Sequence, residues 1–144
     1  MNSIFKLVLA FMAGVALACL VLWLFDTLGS WLYPMLENDN SIKAQSQLAM
    51  QLPTGKLVIM LISYSLSACL GAALSAYFAP FGMQLLCGLF TGFFLLLCAI
   101  FYFVLIPYPW WFMFSAGAAF VAFSFLGAKL GTSYYTNQAN NQSD

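Results

Sequence analysis

The stretch Leu57–Ala128 decides the fold, and it reads LVIMLISYSLSACLGAALSAYFAPFGMQLLCGLFTGFFLLLCAIFYFVLIPYPWWFMFSAGAAFVAFSFLGA. It contains no Asp, Glu, Lys, Arg or His. Because a membrane-spanning helix needs about 20 apolar residues, the stretch has room for about three spans. A further apolar segment, Leu7–Phe25, precedes it. The sequence therefore predicts an all-α integral membrane protein, an antiparallel four-helix bundle.

Two short turns that contain proline, Pro80–Gly82 and Pro107–Pro109, divide the long stretch. Connections this short make neighbouring helices antiparallel. We predict one domain over residues 1–131, with spans at about 4–25, 57–79, 83–106 and 110–131. Residues 132–144 are polar and have no apolar face to bury, so we expect a disordered tail.

The longest connection lies between the first two spans and carries most of the charges. Asn40 or Ser41 can cap a short helix that runs to Leu52, where Pro53 stops it. The apolar positions of this segment fall near one face. We therefore expect a short interfacial helix on the membrane surface or over the bundle.

The composition excludes most soluble classes of protein. Hydrophobic residues make up 64% of the chain and charged residues 6%, whereas a soluble domain averages about 25% charged residues. The formal net charge is zero, so nothing indicates a nucleic-acid partner. The expected partner is the lipid bilayer, and another membrane protein or a second copy of this chain stays open.

The chain also lacks the groups that most chemistry needs. It has no His, and its cysteines are Cys19, Cys69, Cys87 and Cys98, none of them in a C-x-x-C pair. Serines are plentiful in the spans, but no base accompanies them. A proton-coupled transporter usually carries a carboxylate at membrane depth, and this chain has none there. We therefore expect no catalytic, cofactor-binding or metal-binding site.

Small residues recur at helical spacing in the spans. Helices in lipid associate by close approach at such residues. We expect helix packing at Gly14, Ser67, Gly71, Ser75, Gly88, Gly92 and Gly127.

Aromatic residues gather at the ends of the spans that lie on the side of the long connection. The cluster comprises Trp31, Tyr33, Tyr108, Trp110 and Trp111. Indole and phenol rings prefer the headgroup level of a bilayer. The pattern predicts an aromatic belt with rigid turns, and the alternative is a docking surface for a partner's span or a lipid headgroup.

The positive charges give a narrow preference for orientation. Lys6 and Lys129 lie on the side of the two termini, and Lys43 and Lys56 lie on the side of the long connection. The amino terminus adds to the first group. By the positive-inside rule we expect both termini in the cytoplasm.

The order of features resembles a group of small four-span bacterial inner-membrane proteins with no assigned activity. The most specific matching piece is Ile106–Phe112; the others are Leu28–Pro34, Gln51–Pro53, Ala76–Ala79, Ala118–Ala119 and Gly127–Leu130. Members of that group often carry His where this chain has Ser30 and Tyr108. The resemblance covers most of residues 1–131 and implies a topology and a bacterial inner membrane, but no mechanism.

Two functions remain open at this point. The first is a structural or accessory protein that binds a partner, which includes a subunit of a larger assembly in that membrane. The second is a carrier or channel for a neutral or lipid-like small molecule. A wet cavity lined by Ser63, Ser67 and Thr91 would favour the second function, and a dry, tightly packed interior would favour the first.

Overall fold

The computed structural model describes residues 3–32 and 52–141, with side chains described as far as Tyr134. All regular elements in this part of the chain are helices: α1 Ser3–Leu32, α2 Thr54–Phe78, α3 Gln84–Leu105 and α4 Trp110–Asn141. All four are long and apolar enough to cross a membrane. The described residues therefore form a bundle of four helices typical of a multi-pass membrane protein, as predicted.

The prolines set the ends of α2 and α3. Ala79 and Ile106 are both extended, with ψ of 149° and 102°, because the residue before a proline is driven out of the helical region. Gly82 completes the first turn with a φ of 86°, which favours glycine. These two helices begin and end within a few residues of the predicted bounds.

The outer helices run further than predicted. α1 continues to Leu32 instead of ending at Phe25, and α4 continues to Asn141 instead of ending at Gly131. Loss of apolar character marks where a span leaves the lipid, but it does not break a helix when no proline follows. The backbone over 132–141 is thus helical where we expected a disordered tail. The predicted interfacial helix falls largely on residues 33–51, which lie outside the described part, as do residues 142–144.

Helix α2 occupies the centre of the bundle and packs against the other three. Its buried face consists mainly of alanine, serine and glycine, including Ser67, Ala68, Gly71, Ala72 and Ser75. Small side chains let neighbouring backbones approach closely, which maximises dispersion contacts where lipid offers no hydrophobic driving force. Helix α4 packs on both α2 and α3, whereas α1 packs mainly on α2 and only lightly on α3.

The predicted packing glycines lie at these crossings. A Cβ atom added to Gly14 would overlap Ser75 Oγ, and one added to Gly71 would lie 3.0 Å from Ala18 Cβ. An added Cβ on Gly88 would lie 2.7 Å from Ala128 Cβ.

The remaining two glycines of this set lie against α4 and α2. An added Cβ on Gly92 would overlap Ser124, and one on Gly127 would overlap the backbone carbonyl of Cys69. The helices therefore cross at distances that only glycine permits.

Gly127→Ala is expected to lower the free energy of unfolding by about 1–3 kcal/mol, because overpacking a fitted contact costs this much. The added methyl group would meet the α2 backbone at Cys69, which cannot rotate away. Unfolding of the purified protein in mixed micelles, followed by tryptophan fluorescence, measures the change.

Gly117→Ala is the matched control, since Gly117 lies on the same helix and an added Cβ there meets nothing within 4 Å. It should leave the free energy of unfolding unchanged or raise it by up to about 1 kcal/mol, because alanine favours a helix over glycine. Equal losses in the two variants would contradict the tight crossing of α2 and α4.

Candidate functional site

A groove of about 370 Å³ lies between α1 and α3. Its α1 wall includes Val15, Cys19, Trp23 and Asp26, and its α3 wall includes Phe94, Cys98 and Tyr102. The wall residues of each helix recur three or four positions apart, so they share one face. Met60, Ser63 and Tyr64 of α2 and Phe120 of α4 form the floor.

Helices α1 and α3 pack only lightly on each other, and their ring contacts lie at one end of the groove. The ring of Phe11 packs against Phe90 and Phe94, with centroids 5.6 and 5.4 Å apart. Both helices run antiparallel to α2, so they run parallel to each other. Beyond the Phe11 contact they are separated by the groove, which extends from Val15 towards Asp26.

The interior next to the groove is closed at the level of Ser67 and Thr91, two of the residues expected to line a wet cavity. Ser67, Ser75 and Thr91 are completely buried. The Thr91 hydroxyl lies 2.7 Å from Ser75 Oγ and 3.0 Å from the carbonyl oxygen of Cys87. The Ser67 hydroxyl donates to the carbonyl of Tyr64 at 3.0 Å. These hydroxyls therefore satisfy one another and their own helices.

Of the three serine and threonine residues expected to line a cavity, only Ser63 lines the groove. Its hydroxyl donates to the carbonyl of Met60 at 2.7 Å, and 4% of its surface is exposed. The groove floor is therefore mostly apolar, and its polar groups concentrate at the end near Asp26 and Tyr102.

The mouth of the groove combines a carboxylate with aromatic rings. Asp26 is exposed and forms no ion pair with any cation in the described part of the chain. Trp23 precedes it by one helical turn on the same face and is 67% exposed. Tyr102 lies on the opposite wall. Such a mouth offers a negative charge and π faces.

Behind the groove, aromatic side chains plug the end of the bundle. Tyr64 packs against Phe103, Phe112 and Phe120 with centroids 5.5 to 6.1 Å apart. Phe112 is completely buried. The plug holds α2, α3 and α4 together at the end where α1 diverges from α3.

Tyr108 belongs to this plug and not to an exposed belt. It is only 7% exposed, and its ring lies 5.3 Å from that of Phe112 and 5.8 Å from that of Phe103. Burial, followed by the proximity of Tyr102, raises the pKa of the Tyr108 hydroxyl. The ring therefore packs inside the bundle at the turn between α3 and α4, whereas an aromatic belt would place it on the outer surface.

The tryptophans of that cluster do lie on the outside. Trp31 is 81% exposed and Trp110 is 72% exposed, and Trp111 is partly exposed. Tyr33 lies outside the described residues. The structure thus separates the predicted cluster into surface tryptophans and a buried tyrosine.

Sequence reasoning missed the groove. The spacing of Val15, Cys19, Trp23 and Asp26 places them on one face of α1, which was a usable signal. What the sequence did not reveal is that α3 leaves this face uncovered. Comparison with family models, curated proteins and solved structures finds no match to this chain.

The groove geometry predicts that Cys19 and Cys98 can be joined across it. Both thiols are free and exposed, and both line the groove. In a Cys69→Ala, Cys87→Ala background, dibromobimane should alkylate both remaining thiols of one molecule and become fluorescent.

The control retains Cys19 and Cys69 in a Cys87→Ala, Cys98→Ala background. Cys69 lies where α2 meets Gly127 of α4, away from the groove. This pair should give little fluorescence, and equal signals from both pairs would contradict the described arrangement of α1 and α3.

Tyr108→Ala should lower the free energy of unfolding by about 3 kcal/mol, because it removes a buried aromatic ring. Tyr108→Phe keeps the ring and should cost about 1 kcal/mol or less. Unfolding in mixed micelles measures both. A fully stable Tyr108→Ala variant would instead favour an exposed role for this residue.

Proposed function

We propose that the protein is a structural or accessory membrane protein that acts by binding another membrane component. The observation that carries this proposal is the closed layer at Ser67, Ser75 and Thr91, where the hydroxyls are buried and bonded within the bundle. Selective passage requires polar groups directed into a hydrated pore. Here the polar groups face helix contacts.

The proposed binding surface is the groove, which opens to the side of the bundle. The groove between α1 and α3 lies along the outer part of the bundle, next to the lipid-facing side chains of both helices. A ligand or partner that moves within the bilayer can reach such a groove without crossing water. This supports a binding function that operates in the plane of the membrane.

We further propose a bacterial inner membrane with both termini in the cytoplasm. Four antiparallel spans put both termini on one side. Lys6 lies at the start of α1 and Lys129 near the end of the fourth span on that side, and Lys56 lies at the opposite ends of the helices. The resemblance to four-span bacterial proteins supports the location.

A second candidate function is a carrier for a lipid-like molecule, and the groove itself favours it. A carrier must expose its groove to both leaflets or move its ligand between them. The Phe11 contacts close the groove at one end. A binding protein needs no such movement, which is why we favour the accessory function.

Sealed vesicles that contain the purified protein should release a trapped fluorescent solute no faster than protein-free vesicles. They should also exchange fluorescent phospholipid between leaflets at the protein-free rate. A pore-forming peptide serves as the positive control for release.

Solute release that rises in proportion to the amount of protein would overturn the accessory function in favour of a channel. Faster lipid exchange that is lost when Cys19 and Cys98 are cross-linked would favour the carrier.

A further inference from the structure

Asp26 is the first charged residue after Lys6 along α1. It follows Lys6 on α1 by a helical distance of about 30 Å, which matches the thickness of the hydrocarbon core. Lys6 and Asp26 therefore mark the two surfaces of the bilayer on this helix. The groove runs from the Asp26 level into the hydrocarbon region, down to Val15 and Phe94.

The shape and lining of the groove fit an acyl chain. Its length follows α1 from Asp26 to Val15, and its inner walls are mostly apolar. A volume of about 370 Å³ lies at the lower end of the range for small-ligand sites. Because the groove borders lipid, a chain of a bilayer lipid can enter it sideways.

The residues at the mouth of the groove favour a positively charged ligand group. The Asp26 carboxylate has no ion-pair partner among the described residues, and no lysine is among the residues that line the groove. Trp23 and Tyr102 add π faces beside this carboxylate. A carboxylate with aromatic neighbours is the arrangement that recognises ammonium groups.

Lys56 does not line the groove, but it lies near the start of α2, at the same end of the bundle as Asp26. It precedes the floor residue Met60 by one turn of α2, so the two share a face. It forms no ion pair with Asp26 among the described residues, which leaves both charges to act on a ligand. A lysine here can attract a phosphate, a group that every glycerophospholipid carries, while Asp26 distinguishes one headgroup from another.

We propose that the groove between α1 and α3 binds a phospholipid with an ammonium headgroup, phosphatidylethanolamine, with one acyl chain along the groove and the ammonium at Asp26 beside Trp23. This inference rests on the proposed function in that it treats the groove as a binding surface. The inference identifies this lipid as the membrane component that the groove binds.

The test measures which lipid the full-length protein retains. The protein is equilibrated in an equal mixture of phosphatidylethanolamine and phosphatidylglycerol with identical acyl chains, and native mass spectrometry then identifies the bound lipid. We expect about a fivefold preference for phosphatidylethanolamine, because an exposed ion pair with aromatic neighbours contributes on this order.

Asp26→Asn should reduce this preference to about equal retention of the two lipids, and Asp26→Glu should restore most of it. Asp144→Asn makes the same change in net charge in the polar segment that follows the last apolar span; it should leave the preference intact. Lys56→Gln should lower retention of both lipids alike, since both carry phosphate.

A groove-filling variant keeps the test independent of the charge. Cys98→Phe places a ring in the groove from an exposed position on α3 and should abolish retention of either lipid. Its thermal unfolding should match that of the wild type.

Four outcomes would overturn the proposal: equal retention of both lipids by the wild type, preferential retention of phosphatidylglycerol, an undiminished preference in Asp26→Asn, or unchanged retention in Cys98→Phe. These results are separable from the proposed function, because the vesicle release and lipid exchange measurements do not depend on which lipid is bound.

Discussion

The bundle depends on the close approach of its helices to the small-residue face of α2. In lipid, apolar side chains gain nothing by leaving the solvent, so only tight packing and internal hydrogen bonds can favour association. Gly71 of α2 packs closely against α1, and Gly127 of α4 packs closely against α2. Backbone atoms lie at both contacts. Ser75 and Thr91 add a hydrogen bond between α2 and α3.

The same constraint explains the position of the groove. Helix α1 is held by its glycine and alanine contacts to α2, and its lighter contact with α3 includes the ring of Phe11. Beyond that point Cys98 and Tyr102 of α3 line the open groove. Close packing on α2 therefore leaves a groove between α1 and α3, and the proposed binding function lies in that groove.

The sequence predicts the features that depend on local chemistry. Uninterrupted apolar length predicts the number of spans, Pro80 and Pro107 predict the turns, and the glycine spacing predicts which residues lie at crossings. It does not predict features that depend on how helices are arranged. The packing of Tyr108 against Phe103 is visible only in the folded bundle, and nothing in the sequence around Asp26 indicates that α3 forms a wall of the groove opposite it.

The most direct measurement of the central claim is photolabelling in bilayers with a carbene reagent that dissolves in lipid, followed by peptide mapping. Label should appear on the outward residues of α1, α3 and α4, such as Leu9, Phe101 and Val121, which are exposed. The small-residue face of α2 from Ser67 to Ser75 should remain unlabelled. Label along that face at the level of the exposed residues would show that α2 is not the packed centre of the bundle.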